Sequence, residues 1–108
     1  MTMPEHLQQR LRLPLIAAPM FRVSGVELVL AACRAGVIGS FPTANCRSVD
    51  ELDHWLQQLR QGLQGEARAA PFAPNLIMRR ESLRDELQCL LEHRVEVVIT
   101  SVGSPAPV

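Results

Sequence analysis

Short apolar runs alternate with amphipathic stretches along this chain. Leu13 to Ala18, Val37 to Phe41, Phe72 to Met78 and Val95 to Ser101 are nearly continuous in hydrophobic residues. The segments between them carry apolar residues at steps of three and four. Continuous runs suit strands covered on both faces, and a strand–helix alternation predicts parallel strands joined by crossover helices. The reading is an α/β domain over 1-108 with four strands and three long helices. A lead-in segment, 1-12, precedes it, in which Pro4 to Arg12 can form a short helix with only Leu7 and Leu11 as its apolar face.

Each helix has a start signal. Ser24 and Glu27, Ser48 and Glu51, and Ser82 and Asp85 stand three apart, the spacing at which a hydroxyl caps the third helical amide while a carboxylate reaches back. The first helix is expected to run to about Arg34, with Gly36 as its stop. The second has Val49, Leu52, Trp55, Leu56, Leu59 and Leu63 on one face, and the third has Leu83, Leu87, Leu90 and Leu91. Gly62, Gly65 and the small residues Ala67 to Pro71 lead into the third strand, where Pro74 predicts a bulge or an early end. A complete β/α barrel takes about 250 residues, so the expectation is the N-terminal half of a TIM-type (β/α)8 barrel, about four βα units.

Composition narrows the chemistry. Eleven basic residues balance eleven acidic ones with no long run of either sign, which makes nucleic acid and anionic membrane poor partners. Every basic residue is arginine, which removes Schiff-base and phosphate-loop lysines. Three cysteines, Cys33, Cys46 and Cys89, without CxxC spacing argue against a disulfide framework and against zinc. The apolar run Leu13 to Phe21 is broken by Pro14 and Pro19 and is too short to cross a bilayer. A cytoplasmic protein is expected.

In parallel β/α units ligands meet the carboxyl ends of the strands. Those ends are Ala17-Ala18-Pro19-Met20, Gly39-Ser40-Phe41-Pro42, Asn75-Leu76 and Thr100-Ser101-Val102-Gly103. The first offers no ionisable group, only small residues that let a flat ligand approach the backbone, with Met20 as a soft contact; simple packing is the competing reading. Asn75 can donate to and accept from a heterocycle edge, or cap a turn beside Pro74. Thr100 and Ser101 offer hydroxyls, or belong to an ordinary glycine-containing loop.

His6, His54 and His93 all fall away from strand ends, and His93 suits the negative end of its helix dipole. Cys33 and Cys89 read as buried apolar residues, and Cys46 as the candidate for exposure, with no neighbour in sequence to activate it. Arg79-Arg80 reads as a solvated loop, with phosphate contact as the alternative. No residue qualifies as catalytic or as a metal ligand.

Together, Pro14-Leu15-Ile16-Ala17-Ala18-Pro19-Met20, Ala35-Gly36-Val37-Ile38-Gly39-Ser40, Phe72-Ala73-Pro74-Asn75-Leu76 and Val97-Val98-Ile99-Thr100-Ser101-Val102-Gly103 resemble the nitronate monooxygenase (2-nitropropane dioxygenase) family, from about Leu13 to Pro105. The resemblance implies an FMN-dependent barrel that oxidises alkyl nitronates with O2 to carbonyl compounds and nitrite. It places Ala17, Ala18, Pro19 and Met20 along the flavin ring through backbone contacts. Asn75 matches the family's flavin-bonding asparagine, and Thr100 and Ser101 match the fourth-strand end. The family's catalytic histidine and the glycine-rich loops that hold the FMN phosphate would fall beyond Val108. This chain alone is therefore expected to be inactive and to bind FMN weakly or not at all. An FMN-dependent enoyl reductase of fatty-acid synthesis, from the same barrel superfamily, is the close alternative. A noncatalytic truncated half-barrel, self-associating through the open edges of its first and fourth strands, is the third.

Overall fold

The computed structural model describes residues 4–104 and 106. A single turn of helix, α1 (Glu5–Gln8), leads into β1 (Ile16–Ala17), α2 (Val26–Arg34) and β2 (Ile38–Pro42). A 3-10 turn (Thr43–Asn45) then precedes α3 (Val49–Leu63), β3 (Phe72–Ile77), α4 (Leu83–Glu92) and β4 (Ile99–Ser101). The four strands form one parallel sheet in the order β1-β2-β3-β4. Sequential order means the chain winds one way throughout, with no reversal point of the kind doubly wound sheets use, so the sheet is part of a β/α barrel wall.

The register separates the two faces. A Cβ on Gly39 would strike the backbone of Val29 in α2, and the Phe41 ring lies 5.3 Å from that of Trp55 in α3, so Gly39 and Phe41 look toward the helices. Residues paired in a parallel ladder share a face, and side chains alternate along each strand. Pro74 (opposite Phe41), Phe72, Leu76 and Thr100 (opposite Leu76) therefore also look toward the helices. Ile16, Ile38, Ser40, Ala73, Asn75, Ile77, Ile99 and Ser101 lie on the other face. Among the described residues no helix is placed over that second face.

The core lies between sheet and helices: Val29 and Cys33 from α2, Phe41, Leu52, Leu56 and Leu59 from α3, Leu76, and Cys89 and Leu90 from α4. The expected stripe of α3 is the best realised, because its leucines recur on one face and Ser48 Oγ accepts the Glu51 amide at 3.1 Å. Gly36, at φ +88, stops α2 in the left-handed region as expected.

Other expectations fail for identifiable reasons. Gly25, not Ser24, caps α2, because Ser24 Oγ is taken by the Met20 amide at 2.8 Å. Ser82 holds the cap position of α4, but its hydroxyl donates to Glu86 at 2.7 Å instead of meeting an amide. Leu91 points outward, 64% exposed, because the buried face of α4 is the one that carries Glu86, Cys89 and Leu90, with Glu86 beside Arg80 and Ser82. Pro74 neither bulges nor ends β3: the ladder to β4 starts one residue later, at Asn75, leaving room for a residue without an N–H. β1 and β4 are shorter than expected, two and three residues, because each has a partner on one side only. No helix among the described residues is long and apolar enough to cross a membrane.

Candidate functional site

At the carboxyl ends of the strands, side chains tie neighbouring strands together. Ser40 Oγ donates to the carbonyl of Ala17, fastening β2 to β1. Asn75, 8% exposed, donates through Nδ2 to the Ile99 carbonyl and to Ser101 Oγ, each at 3.1 Å. A carbonyl can only accept, so the nitrogen of the amide must face β4, and Oδ1, which no hydrogen bond among the described residues uses, remains an acceptor. Ser101 Oγ accepts from Asn75, which leaves its own proton free to donate.

Asn75 and Ser101 are thus brought together, as the expected site requires. Ala17 is placed differently: it pairs with Gly39 and looks toward the helices, so only its backbone can serve the open face, and its carbonyl is already engaged by Ser40. Ala18, the next residue, is exposed. Met20 is exposed too, with its amide and carbonyl both committed, to Ser24 and to Asn45. Thr100 looks toward the helices and is not a candidate for this face. Val102, just past β4, holds φ +58, an unusual conformation for a β-branched residue, in the loop that carries Ser101 to the rim.

Asn45 was not singled out by the pattern of the sequence. Its Nδ2 donates to Met20 O at 3.1 Å and Ser24 O at 2.9 Å, and its Oδ1 accepts the Arg22 amide at 2.7 Å. One side chain therefore fixes the loop after β1 from the turn after β2. The available signal was an amide in a strand-end loop, the same signal that marked Asn75. Thr43, buried at the start of the same turn, keeps its hydroxyl without a partner.

Removing the Asn75 amide should loosen β4 before anything else. Asn75→Ala is expected to cost about 0.5–1.5 kcal/mol, because it removes two hydrogen bonds to a part-buried carbonyl and hydroxyl. Hydrogen exchange should show the loss first at Ile99 to Ser101, and equal protection in variant and parent would contradict this role.

Cys46 is buried, 5% exposed, against the expectation of exposure, because the turn Thr43–Asn45 folds it back under α3 and α4. Burial, reinforced by Glu51 and Glu86, pushes its thiol up to about 12. Burial likewise raises Cys33, and raises Cys89 to about 11 with Asp53 and Glu92 adding to it. None of the three is a nucleophile at neutral pH.

A raised thiol pKa means the unfolded chain loses its proton first, so stability present below the ordinary value of 9.0 is lost as pH rises toward 12. The chain has no lysine and no tyrosine, so few other groups titrate in that window. Cys46 alone should cost about 1 kcal/mol of stability by about pH 10. Urea unfolding across that range checks it: Cys46→Ala should flatten the decline, and an unchanged slope would refute the assignment.

A cavity of about 780 Å³ opens at the opposite end of the sheet, among Arg10, Arg12, Arg34, Glu66 and Arg68. Its residues precede the strands, the end that in barrels serves stability.

No family model matches the chain, and no curated protein matches it. Among solved structures it is similar to FabK from Thermotoga maritima, with a TM-score of 0.78, 24% identity and 94% of this chain covered. A methionine-to-alanine mutant of the same protein superposes equally well. The chain spans 30% and 32% of the length of those two structures, about a third. The likeness shows the fold: four consecutive parallel strands of a barrel wall with the three helices that connect them.

Proposed function

We propose that this chain forms part of an FMN-dependent β/α-barrel oxidoreductase of the nitronate monooxygenase type, whose substrates are an alkyl nitronate and O2. The observation that carries the reading is the open sheet face. It carries Ile16, half exposed, with Ile77 and Ile99 partly exposed and Ile38 and Ala73 buried, and has Asn75 Oδ1 and the Ser101 hydroxyl as polar groups with unused bonding capacity among the described residues. An apolar face with a few placed polar groups is what a flat heterocycle needs.

When bound, a flavin supplies two-electron transfer between an organic substrate and oxygen. The residues of this chain hold and orient. Asn75 Oδ1 would accept from a ring N–H and the Ser101 hydroxyl would donate to a ring or substrate oxygen. The partly exposed isoleucines would exclude water, and the small, exposed Ala18 would let the ring lie close to the backbone. The open face carries no histidine and no carboxylate, so it holds no proton at a reacting carbon, and none of its residues is assigned a catalytic role.

The second reading, an FMN-dependent enoyl reductase, is favoured by the identity of the structural neighbours as FabK. The two readings part in assay. A barrel completed by further strands, supplied as a second polypeptide or as a longer chain, should take up oxygen with propyl nitronate. Reduction of an enoyl thioester by NADPH without oxygen uptake would establish the second reading, and neither activity in a flavin-loaded barrel would remove both. The apolar edge at Leu13, Leu15 and Ile16, each half exposed, is where further strands or a second copy would pair. Gel filtration of the chain alone should therefore show concentration-dependent association, and a strict monomer would exclude it.

A further inference from the structure

Outside the sheet, α3 and α4 bring three metal-ligating groups together. Cys89 and His93 are four residues apart, one helical turn, so they project from the same side of α4. Asp53 faces them from α3, its Oδ1 2.6 Å from His93 Nε2. One donor atom from each of the three lies within 4.8 Å of the others. Zinc takes sulfur at about 2.3 Å and nitrogen or oxygen at about 2.0–2.2 Å, which in a tetrahedral site places two donors about 3.4–3.6 Å apart, so the Asp53–His93 pair must open by about 1 Å and Cys89 close in. Side-chain shifts of well under a turn of helix therefore complete the site.

Two further observations favour a ligand. The His93 side chain is only 10% exposed, and its Nδ1 is buried without a hydrogen-bond partner among the described residues, so the ring holds bonding capacity that these residues do not use. A groove bounded by Asp50, Asp53, Asp85, Gln88, Cys89 and Glu92 opens beside it, which offers a route for a cation and four carboxylates to attract one.

We propose that Asp53, Cys89 and His93 form a site for a zinc-class divalent cation that staples α3 to α4, with a fourth position open to the acidic groove. The absence of CxxC spacing does not bear on it, because a helix delivers Cys and His at i and i+4 instead. On binding, the ion replaces the direct Asp53–His93 contact and the Cys89 thiol gives up its proton to solvent. One proton is released per ion, and affinity rises with pH. The site is separate from the open sheet face and stands whether or not a flavin binds there.

Cobalt(II) is the probe, added to the untagged 108-residue chain. The expected result is one equivalent bound with an intense thiolate-to-cobalt band in the near ultraviolet, displaced by Zn2+. Asp53→Asn removes a half-exposed carboxylate on a helix surface and should fold as the parent does, with its dissociation constant raised more than tenfold. Zn2+ should raise the melting temperature of the parent and not of Asp53→Asn. Saturating cobalt without a thiolate band, a band that survives in Cys89→Ala, or equal affinity in Asp53→Asn would each overturn the proposal.

Discussion

Replacing Phe41 with alanine is expected to remove about 4 kcal/mol of stability, enough to leave a domain of ordinary stability close to unfolding. Phe41 is fully buried on the helix-facing side of β2, and its ring meets that of Trp55 at 5.3 Å with a tilt of 53°. The truncation therefore loses the transfer free energy of a large side chain and opens a cavity beneath α3. It also loses an aromatic pair worth about 0.5–1.5 kcal/mol. Trp55, the single tryptophan, reports the same contact by fluorescence. Urea unfolding followed by circular dichroism and by Trp55 emission should give coincident midpoints, well below those of the parent. A loss under about 1 kcal/mol would mean the sheet does not pack on α3 through this ring.

The second large effect comes from adding atoms. Gly39 has no φ restriction to satisfy; its role is close approach. A Cβ there would lie 2.6 Å from the Val29 carbonyl oxygen and 3.1 Å from Val29 Cα, backbone atoms that yield only if α2 lifts off the sheet. Gly39→Ala should cost about 2 kcal/mol and Gly39→Val more, despite the lower chain entropy of either replacement in the unfolded state. Gly62→Ala is the internal comparison. Its Cβ meets only the flexible end of Leu30, and alanine favours the helix interior, so it should change stability by less than about 1 kcal/mol. Equal effects at the two glycines would contradict the docking of α2 described above.

What was legible in the sequence was periodicity. The stripe of α3 and the four apolar runs specify their elements because burial on one side of a helix, or both sides of a strand, leaves few alternatives. Start signals were less reliable. Ser48 caps as its spacing predicts, but Ser24 and Ser82 have the same spacing and bond elsewhere, because a loop amide and the buried Glu86 compete for their hydroxyls. Cys46 and Leu91 were misplaced for a related reason: neither the turn that folds one inward nor a buried face that includes a carboxylate, Glu86, leaves a periodic apolar trace.

At the strand ends, Asn75 and Ser101 could be named from residue type, yet the hydrogen bond that unites them depends on the β3–β4 register. The same register turns Thr100 away. Asn45 and the Asp53–Cys89–His93 cluster were hidden because they join segments distant in sequence.

The central claim is that the open sheet face, at its carboxyl end, is a flavin-binding surface. Amide chemical-shift mapping of the isotope-labelled chain during FMN titration tests it most directly. The predicted result is weak, unsaturated binding, with shifts concentrated at Ala18 to Met20, Asn75 to Ile77 and Ser101 to Gly103, and reduced in Asn75→Ala. Shifts confined to the helices or to the arginine-lined cavity at Arg10, Arg12 and Arg68, or no shifts at all at millimolar flavin, would contradict it.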